Sequence, residues 1–495
     1  MSIKVAFVGA GSLGFTRGLL RDILSVKELQ NIEVAFTDIN SDNLERVSKI
    51  CQRDIDENGL DIKISATVDR REAFREADYI INSVRVGMLE AYEADVEIPL
   101  KYGVDQCVGD TLCIGGIMYG QRGIPVMLEF CKDIREVAKP DCILLNYSNP
   151  NAMLTWVCNK YGKVNTLGLC HGVQHGHAQI AKAFDAEVKD VDIICAGLNH
   201  QTWYTSIKIK GEDKTGELYD AFLKQEDMLE NENIRLDVMK NFGYYSTESN
   251  GHLSEYLSWY RKRPDDMQTW INFSNWIQGE TKGYLRVCKE GRNWFEVDYP
   301  NLLKEPALVY AEENRDLEHV SYIIEALETG RCYRGHFNVM NNGCITNLPD
   351  ECVVEVPAYV DYNGISVPQV GDLPLGCAAI CSQSVWVQKL AVEAAVAGDI
   401  QLLYQASMMD PLTGAVCLPA EIRQMVDEML IAGEQWLPQY AEDIEKAKIR
   451  MQGELLPYRP ASGFTLEPKT VEEMAKDVKT ARANAGAAAK ERVSM

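Results

Sequence analysis

Apolar residues run through Lys4-Val5-Ala6-Phe7-Val8, a β-branched and aromatic stretch that predicts a strand. Gly9-Ala10-Gly11-Ser12-Leu13-Gly14 follows, then a helical period over residues 16–26 and a second strand over 32–36 that ends in Thr37-Asp38. Strand-like runs recur at 79–82 and 142–146, with two shorter ones near 166–169 and 191–196. Helical patterns at 41–58, 70–77 and 124–137 lie between them. Strands that alternate with helices predict an α/β fold, a Rossmann-like doubly wound parallel sheet with right-handed crossovers. After about residue 197 longer helical stretches take over, at 226–242, 313–329, 382–397 and 420–431, mixed with the hairpin-like Val353-Val354-Glu355-Val356-Pro357. These patterns predict a Rossmann-like domain over 1–196 and a mixed α+β second domain over 197–460 that covers the open edge of the first. A helical tail over 461–495 completes the division, its stretch 471–490 rich in Ala, Lys and Glu. There is no internal repeat.

The 495 residues carry 50 Lys and Arg against 73 Asp and Glu, a net charge of −23. Phosphate backbones and anionic lipid need clustered positive charge, so nucleic acid and membrane surfaces are excluded as partners. No run of 18 apolar residues exists to span a bilayer. The N-terminus passes straight into a strand without signal-peptide architecture. Fifteen Cys, an odd number, are scattered without CxxC pairs, which argues against a disulfide framework and for a reducing, cytoplasmic location.

In the glycine loop, Gly9 is expected to make the turn, Gly11 to admit a pyrophosphate, and Gly14 to allow close helix–strand packing. The helix N-terminus that follows would offer free N–H groups to phosphates, and Ser12 joins the cofactor-binding set. Asp38 ends the next strand, 24 residues after Gly14. A carboxylate there accepts from ribose hydroxyls and repels a 2′-phosphate, and no Arg follows it, so NAD is favoured over NADP.

Four of the seven His lie in Cys170-His171-Gly172-Val173-Gln174-His175-Gly176-His177 and Gly197-Leu198-Asn199-His200. Cys170 and His200 each follow a predicted strand, at the edge where doubly wound sheets bind ligands. Such a pair would hold a divalent metal and leave positions open for substrate oxygens. A buried thiol and a hydrogen-bonded imidazole fit the same pattern. Asn146-Tyr147-Ser148-Asn149-Pro150 predicts a turn that projects amides toward the same cleft.

Together these pieces resemble glycoside hydrolase family 4, the NAD- and divalent-metal-dependent glycosidases, and within it the bacterial α-galactosidases of the melibiase type. The resemblance is carried by the glycine loop, Gly109-Asp110-Thr111-Leu112-Cys113-Ile114-Gly115-Gly116, Asn146–Met153 with its Asn-Pro turn, Cys170-His171, Asn199-His200, Gly243-Tyr244-Tyr245-Ser246-Thr247-Glu248-Ser249, Asn347-Leu348-Pro349 and Met408-Met409-Asp410-Pro411. It runs to about residue 437. It implies that NAD takes hydride from C3 of the sugar and that a metal, Mn²⁺ in the family, sits on Cys170 and His200. The resulting C3 ketone acidifies the C2 proton, a base removes it, the glycosidic bond breaks by elimination, water adds and the hydride returns. On softness grounds a Cys/His pair alone would prefer Zn²⁺ or Cu²⁺.

By the same resemblance His171 assists the leaving group or binds substrate, Asn149 binds sugar hydroxyls, and Asn82 and Asn146 line the NAD site. The family's C2 base falls near Ser249, a poor base, so His252, Glu248 and Tyr256 are its replacements. Family members form dimers or tetramers, and a homodimer or homotetramer is expected. The α-galactosidase members read Cys-His-Ser-Val where this chain has Gly172, a change expected to enlarge the pocket. An α-glucosidase, α-glucuronidase or α-galacturonidase is the alternative, with Arg85, Arg261 and Lys262 as partners for a uronic carboxylate. An NAD-dependent dehydrogenase of the lactate/malate type, or a non-catalytic NAD-binding regulator, is the rival from another class.

Overall fold

The computed structural model describes residues 3–269, 271 and 274–481. Twelve strands form one sheet: β1 Lys4–Val8, β2 Glu33–Thr37, β3 Ile64–Thr67, β4 Tyr79–Asn82, β5 Ile143–Asn146, β6 Thr166–Gly168, β7 Val191–Leu198, β8 Gln201–Ile209, β9 Glu212–Asp213, β10 Tyr333–Met340, β11 Val353–Asp361 and β12 Gly364–Ser366. Their order is β3-β2-β1-β4-β5-β6-β10-β11-β7-β8-β9, with β12 on β11. The first six are parallel in the 3-2-1-4-5-6 order of a dinucleotide-binding sheet. Along β1, Val5 and Phe7 pack into one core while Ala6 and Val8 pack into the other. That alternation explains an apolar run: the strand is covered by helices on both faces.

The connections are α1 Leu13–Leu24, α2 Ser41–Glu57, α3 Arg70–Phe74, α4 Met88–Lys101, α5 Cys113–Val137, α6 Asn151–Lys160 and α7 Gly172–Ala183. Helix α5 begins eleven residues before its predicted start at 124. Its first turns hold Gly115 and Gly116, residues of low helix propensity, and a Cβ at 116 would lie 2.5 Å from the backbone carbon of Thr111. The helix packs on its own preceding loop, and only glycine fits. The predicted helix 226–242 is two, Glu226–Asn231 and Asn233–Phe242, because Asn250 Oδ1 accepts from the N–H groups of Ile234 and Arg235 and starts the second afresh. The stretch predicted from 313 opens with a single 3-10 turn, Glu312–Asn314, and becomes α-helical only at His319.

The parallel sheet expected to include residues 191–196 stops at β6. Strand β10 pairs antiparallel with β6, β11 antiparallel with β10, and β7 joins beyond them, antiparallel to β11. The later half of the chain therefore extends the first sheet, and β7 spans the boundary drawn at 196. Residues 471–481 are helical, and the rest of the predicted tail helix lies outside the described residues. All fifteen cysteines are unpaired. Among the described residues no helix is long and apolar enough to cross a membrane.

Candidate active site

Strand order reverses at the β1/β4 junction, and a cavity of about 1120 Å³ opens there. Gly9, Gly11, Ser12 and Asp38 wall one end, and Asp110, Asn149, Cys170, His171, His200, Glu248 and His252 the other.

At the glycine end, Gly9 has φ +85°, and a Cβ on it would come within 2.9 Å of the Ser83 carbonyl carbon. Gly11 donates its N–H to Asp38 Oδ2 at 2.8 Å, and a Cβ on Gly11 would meet that oxygen at 2.9 Å. Ser12 is the N-cap of α1 but its side chain makes no capping bond, so the first N–H groups of the helix stay available to an anion. This cradle suits a dinucleotide pyrophosphate. Gly14 does not play the packing role expected of it: it is exposed, and a Cβ there would meet nothing within 4 Å. Asn82 and Asn146 lie under the cavity rather than along it. Both are fully buried, Asn82 Nδ2 donating to Asn146 Oδ1 (2.7 Å) and to Ser148 Oγ (3.1 Å). They hold the turn that brings Ser148 and Asn149 to the wall.

At the other end, Cys170, His200 and Glu248 each present a donor atom, all within 4.8 Å of one another. Asp110, His200 and His252 do the same. Thr111 Oγ1 donates to Asp110 Oδ1 (2.8 Å) and stands 2.9 Å from His200 Nδ1. With the hydroxyl proton committed to the carboxylate, its oxygen accepts from Nδ1–H, which leaves Nε2 as the His200 nitrogen for a cation. Such an outer hydrogen bond orients a metal-binding imidazole. The donor set fits a divalent cation with open positions. Asn149 Nδ2 donates to Asp110 Oδ2 at 3.0 Å, which places its amide at the same end. Asp110 escaped sequence reasoning, although it stands inside the Gly109–Gly116 motif.

His171 Nδ1 lies 3.2 Å from Glu318 Oε1. Burial pulls the imidazole down, but Glu318 and Glu248 outweigh it and carry its pKa up to about 9. Glu318 was not legible in the sequence; it sits just before the helix His319–Thr329, 147 positions from its partner. Of the three expected C2 bases, His252 lines the cavity and is lowered to about 4 by burial and by His200. Glu248 also lines it, but its carboxylate lies against Cys170, and the surrounding imidazoles outweigh burial and hold it down to about 2. Tyr256 does not reach the cavity: it is 1% exposed, behind His252, and burial raises its phenol well above the ordinary range. Ser249 caps the helix Asn250–Tyr256, accepting from the His252 N–H. Arg85 lines the cavity 4.0 Å from Asp110, whereas Arg261 is fully buried and paired with Asp105 at 2.9 Å, out of reach of any ligand.

One buried carboxylate binds three successive N–H groups of the loop that carries Asp110. Glu255 accepts from the N–H groups of Cys107 (2.9 Å), Val108 (3.0 Å) and Gly109 (2.8 Å). Glu255→Ala leaves three buried donors unpaired, at about 1–3 kcal/mol each. Thermal unfolding should show a destabilisation of about 3 kcal/mol or more. An unchanged melting temperature would mean that the loop is held by something else.

The profile described as Family 4 glycosyl hydrolase matches residues 4–186, and that of the Family 4 glycosyl hydrolase C-terminal domain matches 195–413. The chain belongs to glycoside hydrolase family 4. It is 53% identical over 487 residues to an α-galactosidase of Rhizobium meliloti (strain 1021), covering 98% of this chain and 99% of that one. It is 34% identical over 439 residues to an α-galactosidase of Bacillus subtilis (strain 168), covering 88% and 99%. Among solved structures, a 6-phospho-α-glucosidase from gut microorganisms in complex with NAD and Mn²⁺ shares the fold, with TM-score 0.73, 22% identity, and 88% and 99% of the two chains covered. Family 4 membership places the expected glycine loop, Cys170 and His200 within the first matched segment and the start of the second.

Proposed function

We propose that this family 4 enzyme hydrolyses α-galactosides with NAD and a divalent metal, Mn²⁺, as cofactors. One observation carries the reading: a single cavity joins a glycine cradle beside Asp38 to a thiol, imidazole and carboxylate donor set. The 53% identity to an α-galactosidase over nearly the whole of both chains supports the sugar. When bound, NAD supplies a hydride acceptor and the metal a Lewis acid toward the sugar's C2 and C3 oxygens.

The protein's own groups do the rest. Gly9, Gly11 and the start of α1 seat the dinucleotide, and Asp38 faces the ribose end. Cys170 and His200 hold the cation, with Thr111 and Asp110 fixing the imidazole. Asn149 orients hydroxyls. His171, kept charged by Glu318, gives a proton to the departing oxygen, and neutral His252 accepts the C2 proton. In this reading residues 1–196 bind NAD, 197–460 complete the substrate side and the assembly surface of a homodimer or homotetramer, and 461–495 form a tail. Fifteen unpaired cysteines support a cytoplasmic location.

The test incubates purified protein with NAD⁺, Mn²⁺ and thiol against 4-nitrophenyl α-galactoside, α-glucoside and α-glucuronide. Cleavage of the galactoside, lost on omitting either cofactor and without net NADH, is expected. Preference for the glucuronide would move Arg85 to the substrate and the reading to a uronidase. Cleavage indifferent to NAD⁺ and chelator would sink the mechanism, and NADH build-up would return a dehydrogenase.

A further inference from the structure

We propose that Glu248 is a third protein ligand of the divalent cation and that Gly172 is the residue that admits it. The inference rests on the metal-dependent reading above and adds to it a donor absent from the Cys-His pair. Glu248 Oε1 lies 3.5 Å from Cys170 Sγ, and the Cys170, His200 and Glu248 donors fall within 4.8 Å of one another. They come from three separate places, the end of β6, the turn between β7 and β8, and the segment before the helix Asn250–Tyr256. Their convergence is a product of the fold rather than of one local turn.

Gly172 is the counterpart of this placement. A Cβ at 172 would stand 1.5 Å from Glu248 Oε1 and 2.5 Å from its Cδ. The carboxylate occupies the volume of the missing side chain. The pocket is therefore not enlarged at Gly172, as the sequence led one to expect; the space is filled by an anionic oxygen turned toward Cys170. Any larger residue must displace that carboxylate.

Donor chemistry supports the assignment. A thiolate and an imidazole alone suit Zn²⁺ or Cu²⁺, whereas a carboxylate oxygen is a hard donor that favours Mn²⁺. One thiolate, one carboxylate and a neutral imidazole also balance a 2+ charge. Three protein ligands leave three positions of an octahedral ion open, enough for a vicinal diol.

The experiment titrates Mn²⁺ and, separately, Zn²⁺ into metal-stripped full-length protein without substrate, reading free Mn²⁺ by electron paramagnetic resonance and Zn²⁺ by a chromophoric chelator. Wild type, Glu248→Gln, Gly172→Ala and Cys170→Ser are compared. Glu248→Gln is isosteric and should weaken Mn²⁺ about tenfold or more, and Zn²⁺ by less. Gly172→Ala removes no donor yet should weaken Mn²⁺ in the same direction. The Mn²⁺/Zn²⁺ ratio is taken within each variant, so a loss of folded material cancels. Wild-type Mn²⁺ affinity and an unchanged ratio in Glu248→Gln, with binding lost in Cys170→Ser, would overturn the third ligand and leave the metal centre standing. Failure of the wild type to bind Mn²⁺ would overturn both.

Discussion

Cys170→Ser is expected to lower kcat on 4-nitrophenyl α-galactoside by about 10³-fold or more while dinucleotide binding stays at the wild-type level. A Lewis acid at a developing enediolate contributes several kcal/mol of charge stabilisation, and each 1.36 kcal/mol is a factor of ten. Burial, with the charges of Glu248 and Glu355, pushes the Cys170 thiol well above its ordinary range. Without a cation the residue is therefore a thiol, and binding a metal must release its proton. A serine hydroxyl gives up its proton far less readily, so the substitution removes an anionic ligand with little change of shape. Sγ also accepts the Gly172 N–H at 3.4 Å, a bond that serine can keep, so the start of α7 should survive. The glycine cradle is built from β1, α1 and β2, none of which contains Cys170, and quenching of protein fluorescence by NAD⁺ reports it separately. Retained activity in metal-saturated Cys170→Ser would place the cation elsewhere, with the Asp110, His200 and His252 donors as the remaining set.

Legibility followed the range of the interactions. The β1-loop-α1-β2 unit could be read because its signals are local: a strand period, a turn glycine with positive φ, and an acid at the next strand end. Cys170 and His200 could be found for the same reason, since each stands at the end of its own strand. What escaped depends on contacts far apart in sequence. Glu255 bonds a loop almost 150 positions away, and nothing around it differs from an ordinary polar helix face. Glu318 meets His171 only because the helix His319–Thr329 packs near α7's start. Strands β10 and β11 enter the sheet between β6 and β7, an order that alternation of apolar residues does not encode. The glycine-rich start of α5 lies outside the helical pattern of the sequence because intrinsic propensity opposes a helix there, about 1 kcal/mol per Gly. Close approach to Thr111 overrides that preference. Gly14 erred the other way: a familiar spacing suggested a packing role for a residue that faces open space.

His171→Asn is expected to lower kcat/KM for a poor leaving group, such as the natural disaccharide linkage, by about 10²–10⁴-fold, the range of general acid catalysis. The loss should be far smaller for 4-nitrophenyl galactoside, whose leaving phenoxide needs no proton. That contrast separates proton donation from mere binding. The pH profile gives a second measure. A donor must be protonated, and His171 has its pKa raised to about 9, so wild-type kcat/KM on the disaccharide should hold through neutrality and fall above about pH 9. Burial alone would have lowered this pKa; the hydrogen bond and charge of Glu318, with Glu248 and Asp316, raise it. Glu318→Gln keeps a hydrogen-bond acceptor but removes the charge. The alkaline limb should then move to lower pH by about one unit or more, the usual effect of one opposite charge at hydrogen-bond distance. The neighbouring His175, whose ring centroid is 4.7 Å from that of His171, is itself lowered by burial and by His171's charge. It stays neutral at pH 7 and does not compete for Glu318. An alkaline limb that is unchanged in Glu318→Gln but lost in His171→Asn would keep His171 as the donor and remove Glu318 from its tuning. A limb unchanged in both would move leaving-group protonation to another group.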